Sequence, residues 1–211
     1  MTKEQLVDLI KDRLAGGDAP QEIKGKYHPE IIAKHITIAL NYLIKSVAYK
    51  EAEAYGWGIL DGFSKAYDNV EILTNEARNE KYSNIPCSIV QLPMNRGVRM
   101  ISPMHDQEYT FIYRDNNSAS IYSKVDVDLI TGRPRFYVEG DKVYYSKHLS
   151  NDYTNVLMKV IPDFDSLDDD DEVNVPTSYG KVIFDIVVQS LQGKPFEKVS
   201  NDNNPNIPQL C

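Results

Sequence analysis

Residues 135–145 read RFYVEGDKVYY, in which two runs of aromatic and β-branched residues flank Glu139-Gly140-Asp141. Such residues favour strands, and a glycine between two strand-like runs is typical of a hairpin turn. This segment therefore predicts an antiparallel hairpin. The segments on either side of it decide the fold class.

Further strand-like segments, separated by proline, glycine and asparagine, extend over residues 68–162. The predicted strands are residues 70–73, 88–92, 98–101, 109–113 and 156–161, with a turn at residues 115–118. Together with the hairpin, they predict an antiparallel β-rich region in the middle of the chain.

Helical periodicity replaces this pattern in residues 1–67. Thr2 and Gln5 have the spacing of a capping box, and the apolar residues after them recur at helical intervals until Gly16-Gly17. A longer helix is predicted from Pro29 to about Glu53. Its buried face is expected to contain Ile32, Ile36, Ala39, Leu40, Leu43, Ile44 and Val47. The glycine-interrupted residues 55–67 predict a turn or a short irregular helix.

One more helix is predicted within residues 176–197, where it would pack on the N-terminal helical part. Its stripe comprises Tyr179, Val182, Ile183, Ile186, Val187 and Leu191, and Gly193 marks its end. Residues 198–211 show no period and predict a flexible tail or an extended arm. The expected fold class is α+β, a helical body from the N- and C-terminal helices with an inserted antiparallel β-rich region.

The charge of the chain is concentrated in one segment. The net charge is −8, and residues 163–172 contribute −7, which leaves about −1 for the remainder. No overall basic field is present to hold nucleic acid by counterion release. An EF-hand starting at Asp163 would need an oxygen ligand and a glycine where Leu167 and Asp168 stand. Residues 163–175 are therefore expected to be a solvated acidic loop or a charged rim.

No residue pattern predicts catalysis, a cofactor or a bound metal ion. The candidate metal ligands are His28, His35, His105, His148, Cys87 and Cys211. Their spacing matches no zinc motif, and the two cysteines form no disulfide framework. Nucleophile-elbow, P-loop and dinucleotide-binding glycine motifs are absent from the sequence. We therefore expect a protein that is not an enzyme, with a hydrolase carrying a dispersed site as a third alternative.

Length and hydropathy set the broad class. The 211 residues suffice for one full core. No uninterrupted apolar run reaches the roughly 18 residues needed to cross a bilayer, and the first residues lack the basic-then-apolar order of a secretory signal. We expect neither membrane insertion nor export by that route.

Arginine and tyrosine residues recur through the β-rich region. The residues are Arg96, Arg99, Tyr109, Tyr113, Arg133, Arg135, Tyr137, Tyr144 and Tyr145. Basic and aromatic residues together are typical of surfaces that hold single strands or sugars, and both types are also enriched in protein–protein interfaces. Because the chain is acidic, a protein interface is the favoured interpretation.

Several short strings carry a family resemblance. They are YSNIP at residues 82–86, QLP at residues 91–93, NRGVRMI at residues 95–101 and KVIP at residues 159–162. The acidic run, Val175-Pro176, a helix and NDN at residues 201–203 follow. This order resembles structural proteins of tailed phages that infect Bacteroidetes, including crAss-like phages, over most of the chain.

The resemblance implies a head-to-tail connector or tail ring protein of the virion, made in the cytoplasm of the bacterial host. Its copies would form a closed ring, expected to be a dodecamer, beneath the portal. Its partners would be the portal and neighbouring ring or tail proteins, with phage DNA passing through without sequence recognition and no membrane involved. The alternative is an accessory virion module that recognises a carbohydrate or another polymer through its Tyr-rich β region.

Overall fold

A computed structural model of the chain describes residues 1–16, 27–50, 57–114, 132–146 and 149–193. Contacts divide the chain into a helical unit, Met1–Phe63 with Leu167–Cys211, and a β unit, Ser64–Ser166. The sequence placed the β-rich region at residues 68–162. The predicted α+β class is confirmed.

Among the described residues, the helical unit contains α1 (Lys3–Ala15), α2 (Pro29–Lys50) and α3 (Gly180–Leu191). Short 3₁₀ turns lie at Trp57–Phe63 and Thr177–Tyr179. The first of these turns lies within residues 55–67, the segment predicted to be a turn or a short irregular helix. The last three residues of that segment, 65–67, instead belong to a strand. The predicted end of the second helix near residue 53 lies outside the described residues.

The capping box predicted at the start of the first helix and the glycine predicted at the end of the last helix are both present. The Thr2 hydroxyl accepts a hydrogen bond from the Gln5 amide, and the Gln5 side chain accepts one from the Thr2 amide. This reciprocal pair satisfies two amide donors at the start of α1. After α3, Gly193 adopts φ +65°, the left-handed conformation that glycine accepts without a steric penalty.

The helical core lies where the three apolar stripes meet. Every α2 residue predicted to be buried is buried, and α2 contacts both α1 and α3. Two polar contacts tie the end of α3 to the α2 region. The Tyr27 hydroxyl donates to the Leu191 carbonyl at 3.3 Å, and His35 Nδ1 lies 2.7 Å from Ser190 Oγ. Burial lowers the pKa of His35.

The α2 helix is long and apolar enough to cross a membrane by length and composition, although the sequence contains no uninterrupted apolar run. Its most apolar window has a mean hydropathy of 1.2, and half of that window is buried inside the protein. Core helices of globular proteins pass the same test. The contacts with α1 and α3 account for the buried half.

The β unit contains short strands joined by tight connections. In the described residues these are β1 (Lys65–Glu71), β2 (Leu73–Asn75), β3 (Glu80–Asn84), β4 (Val98–Pro103), β5 (Ile112–Tyr113), β6 (Arg135–Glu139), β7 (Lys142–Tyr145) and β8 (Asn155–Val160). They form a three-stranded sheet in the order β1-β8-β4 and a five-stranded sheet in the order β2-β3-β7-β6-β5. Buried side chains from both sheets make one core.

The predicted hairpin forms as β6 and β7, with Phe136 opposite Tyr145 and Glu139 opposite Lys142. Gly140 adopts φ +62° in the turn, which is the reason the turn needs glycine. The region is not wholly antiparallel, because β5 pairs with β6 in parallel.

Several strand predictions need correction. Of the strand predicted at residues 109–113, only Ile112–Tyr113 forms. Residues 88–92 make an isolated bridge, Ile89 to Pro162, instead of a strand. Pro86 and Pro93 flank this segment, and proline cannot donate to a ladder. Residues 70–73 are split at Ile72, where the chain leaves one sheet for the other. The polar strand β3 was missed, and the predicted turn at residues 115–118 lies outside the described residues.

Candidate protein-interaction site

Three tyrosines lie side by side across one face of the five-stranded sheet. Tyr82 on β3 is opposite Tyr144 on β7, and Tyr144 is opposite Tyr137 on β6. The ring centroids of Tyr82 and Tyr144 are 5.9 Å apart, and those of Tyr144 and Tyr137 are 5.2 Å apart with the planes inclined by 13°. We call these three residues the tyrosine ladder. Cross-strand aromatic pairs of this kind stabilise a sheet.

Charged side chains cover the tyrosine ladder. Lys142 Nζ lies 4.9 Å from the Tyr82 centroid, and the Arg78 guanidinium carbon lies 5.7 Å from the Tyr144 centroid. Both distances fit cation–π contacts. Arg78 also donates to Glu139 at 3.0 Å. Cations therefore lie over the rings of Tyr82 and Tyr144, and only 6% of Tyr144 is exposed.

The outer edge of the ladder is polar. The Tyr137 hydroxyl donates to Glu80 Oε2 at 3.3 Å. Burial, followed by the negative charge of Glu80, raises the pKa of Tyr137 to about 12. Because a base or a sugar ring needs a free aromatic face to stack on, the ladder is better suited to contacts through its hydroxyl and charged rim.

Four more of the predicted residues form two pairs at the β5 side of the sheet. The guanidinium carbon of Arg96 lies 5.6 Å from the Tyr113 centroid, and that of Arg133 lies 5.9 Å from the Tyr109 centroid. The Tyr109 hydroxyl donates to the Gly132 carbonyl. The pair of Arg133 and Tyr109 joins the segments before β6 and β5, and the pair of Arg96 and Tyr113 joins the segment before β4 to β5.

The remaining predicted interface residues do not lie together on one surface. Arg135 shares the Tyr137 face of β6, two residues along the strand. Arg99 lies in the other sheet, at the irregular register between Val98 and Met100. Tyr145 is 1% exposed and points into the core, so the expectation that it lies on a surface is wrong. Adjacent strand residues point to opposite faces, and Tyr144 already occupies the ladder face.

Sequence reasoning missed one residue of the tyrosine ladder, Tyr82, and the charged residues around the ladder, which are Arg78, Glu80 and Lys142. The turn between β2 and β3 carries Arg78, and β3 carries Tyr82 and Glu80. Only the register of β3 against β7 brings Tyr82 and Glu80 to Tyr144 and Tyr137, whereas Lys142 lies on β7 itself. The one usable signal was the alternation of Glu80, Tyr82 and Asn84, which places every second residue on one face.

The acidic segment is tied to α1 through its backbone. The amides of Lys3 and Glu4 each donate at 3.0 Å, to the carbonyls of Asp171 and Asp169. Lys3 Nζ donates to the Leu167 carbonyl at 2.6 Å. These contacts satisfy the first donors of the helix. They also place carboxylates beside the positive end of its dipole, where negative charge is favoured.

The carboxylate side chains of this segment remain at the surface. Asp168, Asp169, Asp170 and Glu172 are exposed. No group of three or more metal-ligating side chains capable of holding an ion occurs among the described residues.

Comparisons with known proteins identify no family for this chain. No protein-family model matches the chain, and no curated protein matches it.

Proposed function

We propose that this chain is a structural subunit of a portal-proximal ring in the neck or tail of a tailed phage, a head-to-tail connector. In this role it forms part of the DNA conduit and contacts the portal, neighbouring ring or tail proteins and its own copies. It acts by assembly and carries out no chemical step. Its place is the virion, after synthesis in the host cytoplasm.

The distribution of exposed apolar side chains carries the proposal. Among the described residues, the exposed large hydrophobic side chains are Met1, Leu9, Ile31, Ile38 and Tyr49. All five belong to the helical unit, which is formed by residues from both ends of the chain. A subunit of a closed ring needs two different adhesive surfaces, because its contacts are heterologous.

The charge of the chain supports a conduit. A lumen lined by basic residues would bind the phosphates of passing DNA through counterion release. This chain has a net charge of −8 and no basic excess. An acidic wall repels the DNA and lets it slide without sequence recognition.

The test is the mass of the purified full chain, alone and mixed with portal and adjacent ring proteins, by native mass spectrometry. We expect either a closed oligomer, with twelve copies the favoured number, or a monomer that closes on its partner ring. Persistent monomers that bind none of these proteins would refute the proposal. A ring with a strongly basic lumen in electron microscopy would refute the conduit argument.

The second candidate is an accessory virion module that holds a carbohydrate or another polymer at the tyrosine ladder. Such a ligand would have to displace Arg78 from the Tyr144 ring. This candidate predicts measurable affinity of the monomer for a glycan, strengthened in Arg78→Ala and lost in Tyr137→Ala. A glycan array followed by calorimetry separates the two, since the ring subunit gives no signal with any glycan.

A further inference from the structure

The α2 helix is apolar on two opposite sides. Its first apolar side packs in the core of the helical unit. On the other side are Ile31, Lys34, Ile38, Tyr42, Lys45 and Tyr49, which we call the basic ridge. At 100° per residue these positions fall within an arc of roughly 80°, and they extend over about 27 Å of helix.

The basic ridge is available to a partner. Ile31 is 43% exposed, Ile38 is 45% exposed and Tyr49 is 63% exposed. Lys34 and Lys45 are also exposed, and no ion pair within the described residues involves them. Burying the two isoleucines of this stripe against a partner is favourable, and the lysines between them are complementary to an acidic surface.

A second surface of the helical unit has the complementary character. Glu4, Asp8 and Asp12 recur at every fourth position of α1, all exposed, with Leu9 beside them at 42% exposure. Met1, 54% exposed, precedes them, and its carbonyl accepts from the Val173 amide at 2.8 Å. The exposed carboxylates of residues 168–172 are thereby held at the start of α1. We call this set the acidic surface.

We infer that the basic ridge of one copy binds the acidic surface of the next copy. Each surface combines exposed apolar side chains with an excess of one charge, and the two excesses have opposite signs. The acidic surface stays acidic although Lys11 is exposed beside Asp8, because its carboxylates outnumber this lysine. Their pairing buries Ile31 and Ile38 against Leu9 and Met1, and it brings the lysines to the carboxylates. Because the surfaces differ, the contact is heterologous and closes by rotation into a ring. The inference rests on the proposed function and names the surfaces that assemble it.

The test uses charge reversal in the full-length chain. Lys34→Glu/Lys45→Glu makes the ridge acidic, and Asp8→Lys/Asp12→Lys makes the acidic surface basic. Each variant alone is expected to raise the dissociation constant for self-association by at least about tenfold in sedimentation velocity at low salt. A 1:1 mixture of the two variants is expected to assemble again, because each reversed surface then meets an oppositely charged one.

The control is Lys50→Glu/Lys181→Glu, which reverses two exposed lysines of the helical unit away from the ridge. It is expected to assemble like the unmodified protein. The mixing result guards against misfolding, since a variant that fails to fold cannot rescue its partner.

Other outcomes overturn the inference in recognisable ways. If the unmodified protein forms a ring and both variants do so equally well, the basic ridge and the acidic surface do not form the contact between copies. The ring proposal itself then stands. If deletion of residues 194–211 abolishes assembly while the charge reversals do not, the tail is the occupant of the ridge. If the unmodified protein stays monomeric but sediments with phosphatidylcholine vesicles, the ridge binds lipid. If the protein closes only on the portal, the same variants are compared in that mixture, and charge reversals that close there as well as the unmodified protein would overturn this contact.

Discussion

The Tyr145 hydroxyl donates a hydrogen bond to Ser83 Oγ at 2.9 Å. Ser83 Oγ in turn donates to the Glu71 carbonyl at 2.7 Å. Tyr145 is 1% exposed and Ser83 is 0% exposed, so no water replaces these bonds. Glu71 ends β1 in one sheet, whereas Ser83 and Tyr145 belong to the other, and the relay therefore ties the two sheets together.

We predict that Ser83→Ala destabilises the protein by about 1–3 kcal/mol, because it removes the acceptor of the Tyr145 hydroxyl inside the core. Tyr145→Phe is expected to cost less, because Ser83 keeps its bond to Glu71. The double variant should cost about as much as Ser83→Ala alone. Urea unfolding measures all three. Equal and additive losses for the two single variants would contradict the relay.

Gly97 lies where its backbone approaches another segment closely. A Cβ there would be 2.6 Å from the Val90 carbonyl oxygen and 3.0 Å from Ile89 Cδ1. We predict that Gly97→Ala destabilises the protein by about 1–3 kcal/mol, since backbone must move to relieve the overlap. Gly180→Ala is the matched control, because no atom lies within 4 Å of the position that its methyl group would take and α3 begins there. It should be neutral or stabilising in the same unfolding experiment.

The contact between His35 and Ser190 predicts a pH dependence. Burial lowers the pKa of His35, so the unfolded chain binds a proton where the folded chain does not. Stability is therefore full above the unfolded pKa of about 6.5 and falls as the pH drops through the lowered folded value. His35→Gln should flatten this part of the curve in thermal unfolding between about pH 5 and 8. A variant curve as steep as that of the unmodified protein would place the titration elsewhere.

Tyr137 is expected to titrate late. Its pKa is raised to about 12, chiefly by burial and then by Glu80. The unfolded chain loses this proton near pH 10, so the contribution of Tyr137 to stability is present below about pH 10 and is lost as the pH rises through its folded pKa. The difference in 295 nm absorbance between the unmodified protein and Tyr137→Phe reports the group. Glu80→Gln should lower the midpoint and leave it above that of free tyrosine, whereas a midpoint near 10 in the unmodified protein would contradict the burial.

Local patterns were sufficient for the helices and the hairpin. The capping box at Thr2, the seven-residue stripe of α2 and the glycine turn at Gly140 depend on contacts within a few positions of the chain. Intrinsic preference and periodicity act over the same distance, which is why these elements could be predicted.

The candidate site was harder to predict because it is built across strands. Tyr137 and Tyr144 were identified, but their partners Tyr82 and Arg78 lie on β3 and on the turn before it. Tyr145 was assigned to the wrong face, since residue type does not distinguish a ladder tyrosine from a core tyrosine. The register against β3 decides that difference.

Helices from both chain ends, an inserted β region and one concentrated acidic segment all follow from the order of residue types along the chain. Three other properties came from tertiary contacts alone. Ile72 separates two sheets, residues 88–92 stay outside both of them, and the acidic segment caps α1. Each of these depends on hydrogen bonds between residues distant in sequence, whose partners are chosen when the core closes.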